Sequence, residues 1–279
     1  MENFRRASKN KEVGDKLEPI IELEHVNVAR GENIVLHDLS FRVEAGEHLA
    51  ILGPNGCGKS TLLKTTTCEL YPLVKPSTRV RIMGRERWDL TQLKRKMGVV
   101  SAELPGRQML TTTGFDAILT GFFSSSTLWP NLTVTEEMRD RARDIVTLVG
   151  AEKLVAKPVG EMSAGQQRRV MIGRALAGTA VEGDAKMLLL DEPSNALDLA
   201  AQRDLREMLR VLAQQGVAIL LITHHIADIL PEIDRIVMMR DGRIVGDGSK
   251  KELLTEEKLG ELFGGEIHLV ERAGYFNAW

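Results

Sequence analysis

The amino-acid sequence predicts an α/β fold organised around a parallel sheet, on three observations. An apolar run, Leu49-Ala50-Ile51-Leu52, passes straight into a glycine-rich turn and then a helical pattern, the strand–loop–helix order of an α/β unit. Two further apolar runs, Met187-Leu188-Leu189-Leu190 and Val217 to Ile222, are too short for helices and do not alternate, which is how strands buried on both faces read. Between the first run and the other two, residues 112–183 switch to helical periodicity, which predicts an inserted helical subdomain. Right-handed crossovers between such strands place ligands beyond their carboxyl ends, where the glycine-rich turn, Asp191 and His224 all fall.

In chain order, residues 1–18 are polar with no apolar h-region and read as a solvated leader, although Arg5, Arg6, Lys9 and Lys11 also suit contact with acidic lipid. Ile20 to Val28 and Ile34 to Val43 alternate apolar and polar residues around the turn Arg30-Gly31-Glu32-Asn33, a β-hairpin leading toward the core. His48 to Leu52 follows as a buried strand, Gly58 to Cys68 as a helix, and Thr78 to Met83 and Met97 to Ser101 as short strands. In the helical part, Thr133 and Glu136 have capping-box spacing, and Val134, Met138, Ala142, Ile145, Val146 and Val149 recur on one face until Gly150. Phe122 to Pro130 is the most aromatic stretch, either a partner-docking surface or a loop pinned to its own domain. Lys186 to Leu190 is the next strand, Asp198 to Gln215 an amphipathic helix, and Arg235 to Gly246 a hairpin turning at Asp241-Gly242. The layout that follows is a leader over 1–18, one α/β domain over 19–250 and a C-terminal extension over 251–279.

Composition sets bounds. The 279 residues suffice for a large core, and they carry a net charge of -2 with only 4% aromatic residues. That charge balance gives no support for a nucleic-acid partner held by bulk electrostatics. Cys57 and Cys68 have neither the number nor the spacing of a disulfide framework or a zinc site, in keeping with a reducing cytosol. No apolar run reaches the roughly 18 residues that cross a bilayer, so membrane work is expected to need a partner.

Gly53-Pro54-Asn55-Gly56-Cys57-Gly58-Lys59-Ser60-Thr61 reads as a phosphate cradle. Its glycines leave the backbone bare, so successive N–H groups can turn toward an anion at the positive end of the following helix. Lys59 then reaches the β- and γ-phosphates of a nucleotide, and Ser60 can ligate Mg²⁺. Asp191-Glu192 ends an apolar strand: one carboxylate can hold the metal, directly or through water, while the other faces the γ-phosphate and accepts a proton from attacking water. His224 ends another core strand, where its ring can bond the γ-phosphate or orient the water. His225 is expected to point elsewhere, because adjacent strand residues alternate. Met162 to Arg169 opens a helix, with Ser163 suited to N-capping and Ala164-Gly165 leaving the first turn bare; it is either a plain capped helix or a second phosphate-facing N-terminus.

Together these residues resemble the ATP-binding cassette (ABC) ATPases, the nucleotide-binding subunits of ABC transporters and their soluble relatives, over about Ile20 to Gly248. Gly53 to Ser60 resembles the family's Walker A, Leu188 to Glu192 its Walker B, Met162 to Gln166 its LSGGQ signature, Ser194 to Asp198 its D-loop and His224 its switch histidine. The resemblance implies the ABC ATPase fold, a P-loop core with an N-terminal antiparallel β-subdomain and an inserted helical subdomain, with ATP and Mg²⁺ bound. It implies that Gly53, Pro54, Asn55, Gly56, Cys57, Gly58, Lys59, Ser60, Thr61 and Arg30 bind ATP, that Ser60 and Asp191 serve the metal, and that Glu192, His224 and Lys59 are catalytic. It implies a head-to-tail dimer with a second copy or a paralogous ABC ATPase, in which Ser163, Ala164, Gly165 and Gln166 act on the partner chain's ATP and Asp198 lies in the D-loop. It also implies membrane permease subunits as partners, no nucleic acid, and a cytoplasmic place at the inner face of the cell membrane.

The chain departs from the family at Arg30, where an adenine-stacking aromatic is usual, and a guanidinium stacks less firmly. It departs at Met162 and Ala164 in the signature, at His225, where many members have Asp, and at Ala102-Glu103, where a glutamine is usual near the surface that meets the membrane subunit. The last difference leaves a second reading open, a soluble ABC ATPase that regulates a cytosolic or nucleic-acid partner. A clamp that barely hydrolyses is a third, and intact Glu192 and His224 weigh against it.

Overall fold

Burial of three apolar strands on both faces decides the architecture of this chain, whose computed structural model describes residues 19–101, 105–179 and 187–279. The elements are β1 (Ile21–Arg30), β2 (Asn33–Val43), β3 (Leu49–Leu52), α1 (Lys59–Thr66), β4 (Arg79–Ile82), α2 (Leu90–Lys96), β5 (Met97–Val100), α3 (Gly114–Leu119), α4 (Glu136–Leu148) and α5 (Ala164–Thr179). There follow β6 (Met187–Asp191), α6 (Leu199–Gln214), β7 (Ala218–Thr223), β8 (Arg235–Arg240), β9 (Arg243–Ser249), α7 (Lys250–Leu253), α8 (Glu256–Phe263), β10 (Leu269–Arg272) and β11 (Tyr275–Ala278). The expectations placed on residues 1–18 and on Ala102-Glu103 lie outside the described residues.

Every residue of β3, β6 and β7 is buried. Alternate side chains serve two cores: Leu49, Ile51, Leu189 and Leu220 join one, and Ala50, Leu52, Leu190 and Leu221 the other. That double burial is why these runs show no polar alternation. The first core is closed by the antiparallel sheet β2-β1-β4 and by Leu62 and Leu63 of α1. The second is closed by side chains of α3 to α6 and, from the C-terminal stretch, by Leu253, Leu259, Leu262 and Phe276.

The central sheet runs β5-β6-β7-β3-β8-β9 and is parallel except for β9. Leu52 lies opposite Thr223 and Asp191 opposite Ile222, so β3, β7 and β6 end nearly level. Strands spaced about 4.8 Å apart therefore deliver Gly53, His224 and Glu192 to one edge as neighbours.

The Asp241-Gly242 turn has a positive φ at both residues, 49° and 71°, which is the type I′ geometry that suits a twisted hairpin. It also docks the N-terminal sheet onto the glycine-rich loop. The N–H of Gly242 donates to the Cys57 carbonyl at 2.9 Å, and its carbonyl accepts from the His37 N–H at 2.9 Å. A Cβ at Gly242 would stand 2.0 Å from the Val35 carbonyl oxygen, so the approach needs glycine for space as well as for φ.

Two sequence expectations need correction or division. The cap of α4 is Thr135, whose hydroxyl accepts from the Met138 N–H at 3.2 Å, and not Thr133. Starting the helix at Glu136 places Glu136 and Glu137 in the first turn, where the helix dipole favours them. The aromatic stretch divides: Phe122 is buried in the second core, Phe123 and Leu128 pack against it, and Trp129 is 54% exposed.

Gly242→Ala is expected to cost about 2 to 5 kcal/mol from the combined clash and left-handed backbone, against about 1 to 2 kcal/mol for Gly216→Ala, which keeps φ +82° but meets nothing within 4 Å. Urea unfolding of both variants checks this ranking. A second expectation concerns pH. Burial holds the His48 ring below its ordinary value of 6.5, opposed by Asp234 and Glu232, and its Nδ1 accepts the Ile219 N–H at 3.2 Å. The unfolded chain therefore binds the proton first. This stability is fully present above 6.5 and is lost as pH falls from there toward the lower folded value. The Tm of the wild type should drop over that window more steeply than that of His48→Gln, measured calorimetrically across pH.

Candidate functional site

The cradle forms because β3 stops in a run of small residues and α1 starts at Lys59. Gly58 caps α1 at φ 106°, a conformation that L side chains rarely adopt. Gly53 is needed for space: a Cβ there would stand 2.2 Å from the Met239 carbonyl oxygen. Asn55, Gly56 and Ser60 are exposed, whereas Cys57, Lys59 and Thr61 are buried. Burial pushes the Cys57 thiol up, with Lys59 opposing the shift, so the thiol stays protonated near neutral pH.

Lys59 is only 4% exposed, and its ammonium donates to the carbonyls of Gly53 at 2.8 Å and Pro54 at 3.0 Å. It also lies 3.7 Å from Glu192 Oε1. The same carboxylate oxygen accepts from His224 Nδ1 at 3.0 Å. Lysine, glutamate and histidine thus meet where β3, β6 and β7 end. Glu192 occupies this place at φ 46°, an uncommon backbone for a non-glycine residue, while its N–H extends the sheet by donating to the Ile222 carbonyl at 2.8 Å.

Asp191, one residue earlier, is 8% exposed. Burial pushes its carboxyl above the usual carboxylate range, opposed by a hydrogen bond with the Ser60 side chain and by Lys59. Its Oδ1 is buried with no hydrogen-bond partner. An orphan carboxylate oxygen beside a serine hydroxyl is a hard-oxygen donor set of the kind Mg²⁺ takes.

The structure corrects the expectation for His225. β7 ends at Thr223, so strand alternation does not govern the next two residues. The rings of His224 and His225 lie with centroids 3.9 Å apart and planes tilted by 41°. Arg30 stands exposed at the end of β1. Asp198 caps α6, accepting from the Ala201 N–H at 2.8 Å.

Ser163 and Gln166 bond reciprocally at the start of α5: Ser163 Oγ accepts the Gln166 N–H at 3.3 Å, and Gln166 Oε1 accepts the Ser163 N–H at 3.1 Å. Gly165 packs so closely on α6 that a Cβ would stand 2.9 Å from that of Ala201. Lys59, Glu192 and His224 gather in one place with Asp191 beside them, and among the described residues no hydrogen bond or ion pair joins residues 163–166 to the cradle.

Two contacts near the site were not legible beforehand. The guanidinium of Arg168, buried on α5, donates to the Ser101 carbonyl just ahead of residues 102–104. Asp228, buried four residues after His224, accepts from Ser194 and Thr223. Neither arginine nor aspartate announces such a partner by type or spacing, since Arg168 pairs with a residue 67 positions away and Asp228 with one 34 positions away as well as with nearby Thr223.

A family model described as ABC transporter matches residues 36–195. An uncharacterised ABC transporter ATP-binding protein, YlmA of Bacillus subtilis (strain 168), is 30% identical, covering 90% of this chain and 93% of its own. The hemin import ATP-binding protein HmuV of Burkholderia ambifaria is 32% identical, over 88% of this chain and 94% of its own. Among solved structures, cbiO1 from Clostridium perfringens, part of the ABC transporter complex cbiONQ, superposes with a TM-score of 0.72 at 26% identity, covering 88% of this chain and 94% of that one.

Proposed function

The chain belongs to the ABC transporter family as an ATP-binding, ATP-hydrolysing subunit, and from that premise we propose how its residues divide the work. The observation that carries the reading is the meeting of Lys59, Glu192 and His224 at the carboxyl ends of three adjacent strands. The backbone of Gly53 to Ser60 and the Lys59 ammonium hold the nucleotide phosphates. Arg30 offers its guanidinium to the base, from a hairpin that Gly242 holds against the cradle.

Lys59 donates to two loop carbonyls, and Glu192 lies against both Lys59 and His224. A phosphate competes for the Lys59 ammonium, because charge-assisted bonds to it are stronger than the bonds to neutral carbonyls. Drawing Lys59 toward phosphate opens the Glu192 carboxylate to take the proton of the attacking water as general base, while its contact with His224 persists. His224, with Nδ1 turned to Glu192, keeps its other ring nitrogen for the γ-phosphate. Ser60 and Asp191 are the residues that would hold Mg²⁺, and the orphan Oδ1 of Asp191 supports that assignment. Bound Mg²⁺ supplies neutralisation of phosphate charge.

The proposal extends to assembly. Among the described residues Ser163 to Gln166 make no hydrogen bond to this chain's own cradle, which supports action on the ATP of a second copy or a paralogous ATPase, with Ser163, Ala164, Gly165 and Gln166 at the phosphates and Asp198 at the facing loop. No helix among the described residues is long and apolar enough to cross a membrane, so transport requires separate membrane subunits. A groove of about 300 Å³ lined by Lys64, Met97, Ser101, Ser124 and Arg174 suits their docking, which supports a position for this subunit at the inner face of the membrane.

Glu192→Gln is expected to lower ATP turnover by about 10²- to 10⁴-fold while leaving nucleotide affinity within about twofold. Steady-state phosphate release and calorimetric ATP binding check this, and unchanged turnover would remove Glu192 from the base role. Asp191→Asn should weaken Mg²⁺-dependent ATP binding by at least about tenfold relative to binding in EDTA, measured by the same calorimetry.

A further inference from the structure

The β-ladder that aligns Glu192 and His224 ends where they begin. Its last bonds are Asp191 opposite Ile222 and the Glu192 N–H on the Ile222 carbonyl. Beyond that point the two chain segments are tied together by one buried carboxylate. Asp228 is 4% exposed, and its Oδ2 accepts from Ser194 Oγ at 2.5 Å and from Thr223 Oγ1 at 2.8 Å. Ser194 itself is 3% exposed and Thr223 fully buried.

The bonds around this oxygen fix the backbone on both sides of the glutamate–histidine contact. Thr223 Oγ1 also accepts the His225 N–H at 2.9 Å, and the Asp228 N–H donates to the His225 carbonyl at 3.1 Å. His224 is therefore held between two anchored neighbours. On the other segment, Ser194 follows Glu192 by two residues, in a turn closed by the Asn195 N–H on the Glu192 carbonyl at 3.1 Å. Two hydroxyls, one from each segment, converge on a single oxygen beneath the pair that meets at 3.0 Å above it.

We propose that Asp228 is a positioning residue for hydrolysis, holding the Ser194 and Thr223 hydroxyls on one oxygen so that Glu192 and His224 stay in register as nucleotide enters. This rests on the reading of Glu192 and His224 as the reacting pair. Its physical basis is that the buried bonds are charge-assisted and shielded from water, and that a displacement of about 1 Å at a reacting group costs on the order of 10²-fold in rate. A buried carboxylate serving stability alone would lower the Tm without singling out His224.

The experiment uses the full chain and compares Asp228→Ala, Asp228→Asn, His224→Ala and Asp228→Ala combined with His224→Ala. Asp228→Ala should lower kcat by about tenfold or more with ADP affinity within about twofold, and Asp228→Asn, which keeps an accepting oxygen, should recover to within about threefold of wild type. In the His224→Ala background, Asp228→Ala should change kcat by less than about twofold, because the Glu192–His224 register that it holds is already gone. Equal losses in both backgrounds, or an unchanged kcat in Asp228→Ala beside a reduced one in His224→Ala, overturn the proposal. An unchanged kcat in His224→Ala instead overturns the reading of His224 itself. Should Asp228→Ala not fold, Ser194→Ala decides: a kcat at least about threefold lower at unchanged ADP affinity supports the proposal, and an unchanged kcat overturns it.

Discussion

Parallel pairing of β7 with β3 on one side and β6 on the other is the interaction on which the rest of the structure depends. These strands are buried on both faces, so each must satisfy two cores with alternate side chains, and a slip of one residue would exchange every partner. Register is therefore held tightly by packing. Its consequence appears at the strand ends, where Gly53, Glu192 and His224 leave the sheet at nearly the same level.

The chemistry at that edge is arranged by mutual occupation. The Lys59 ammonium is satisfied by its own loop, Glu192 by Lys59 and His224, and Asp191 only in part, with one oxygen bare. Buried charges of this kind persist because each has a partner of opposite sign or a hydrogen bond. In the proposed reading, substrate phosphates and a divalent cation are stronger partners for the same groups than the bonds they make to one another. Gly242 and Asp228 stand behind this arrangement, one docking the N-terminal sheet against the cradle and the other tying together the two segments beyond the ladder.

Much of the fold was legible because its causes are local. Unbroken apolar runs reported strands buried on both faces, and Asp241-Gly242 reported a hairpin, since each depends on residue type and spacing alone. The α4 cap was misplaced by two residues because Thr133 and Thr135 are chemically equal, and only the start of the helix chooses between them. His225 was misread because alternation was carried past the end of β7, where the backbone no longer imposes it. Phe122 and Trp129 looked alike in sequence and differ wholly in burial, which depends on what packs above them.

The sequence by itself determined which residues are candidates for nucleotide chemistry: a bare-backbone loop with Lys59 and Ser60, a carboxylate pair at Asp191-Glu192, His224, and the Ser163 helix start. These were readable because phosphate and metal chemistry demand particular residue types at short spacing. Only the tertiary structure decided how those groups hold one another. The Glu192–His224 contact spans 32 positions, Ser194–Asp228 spans 34, and Arg168–Ser101 spans 67. No short-range pattern encodes such pairs, because they come into being only when strands from distant parts of the chain are packed side by side.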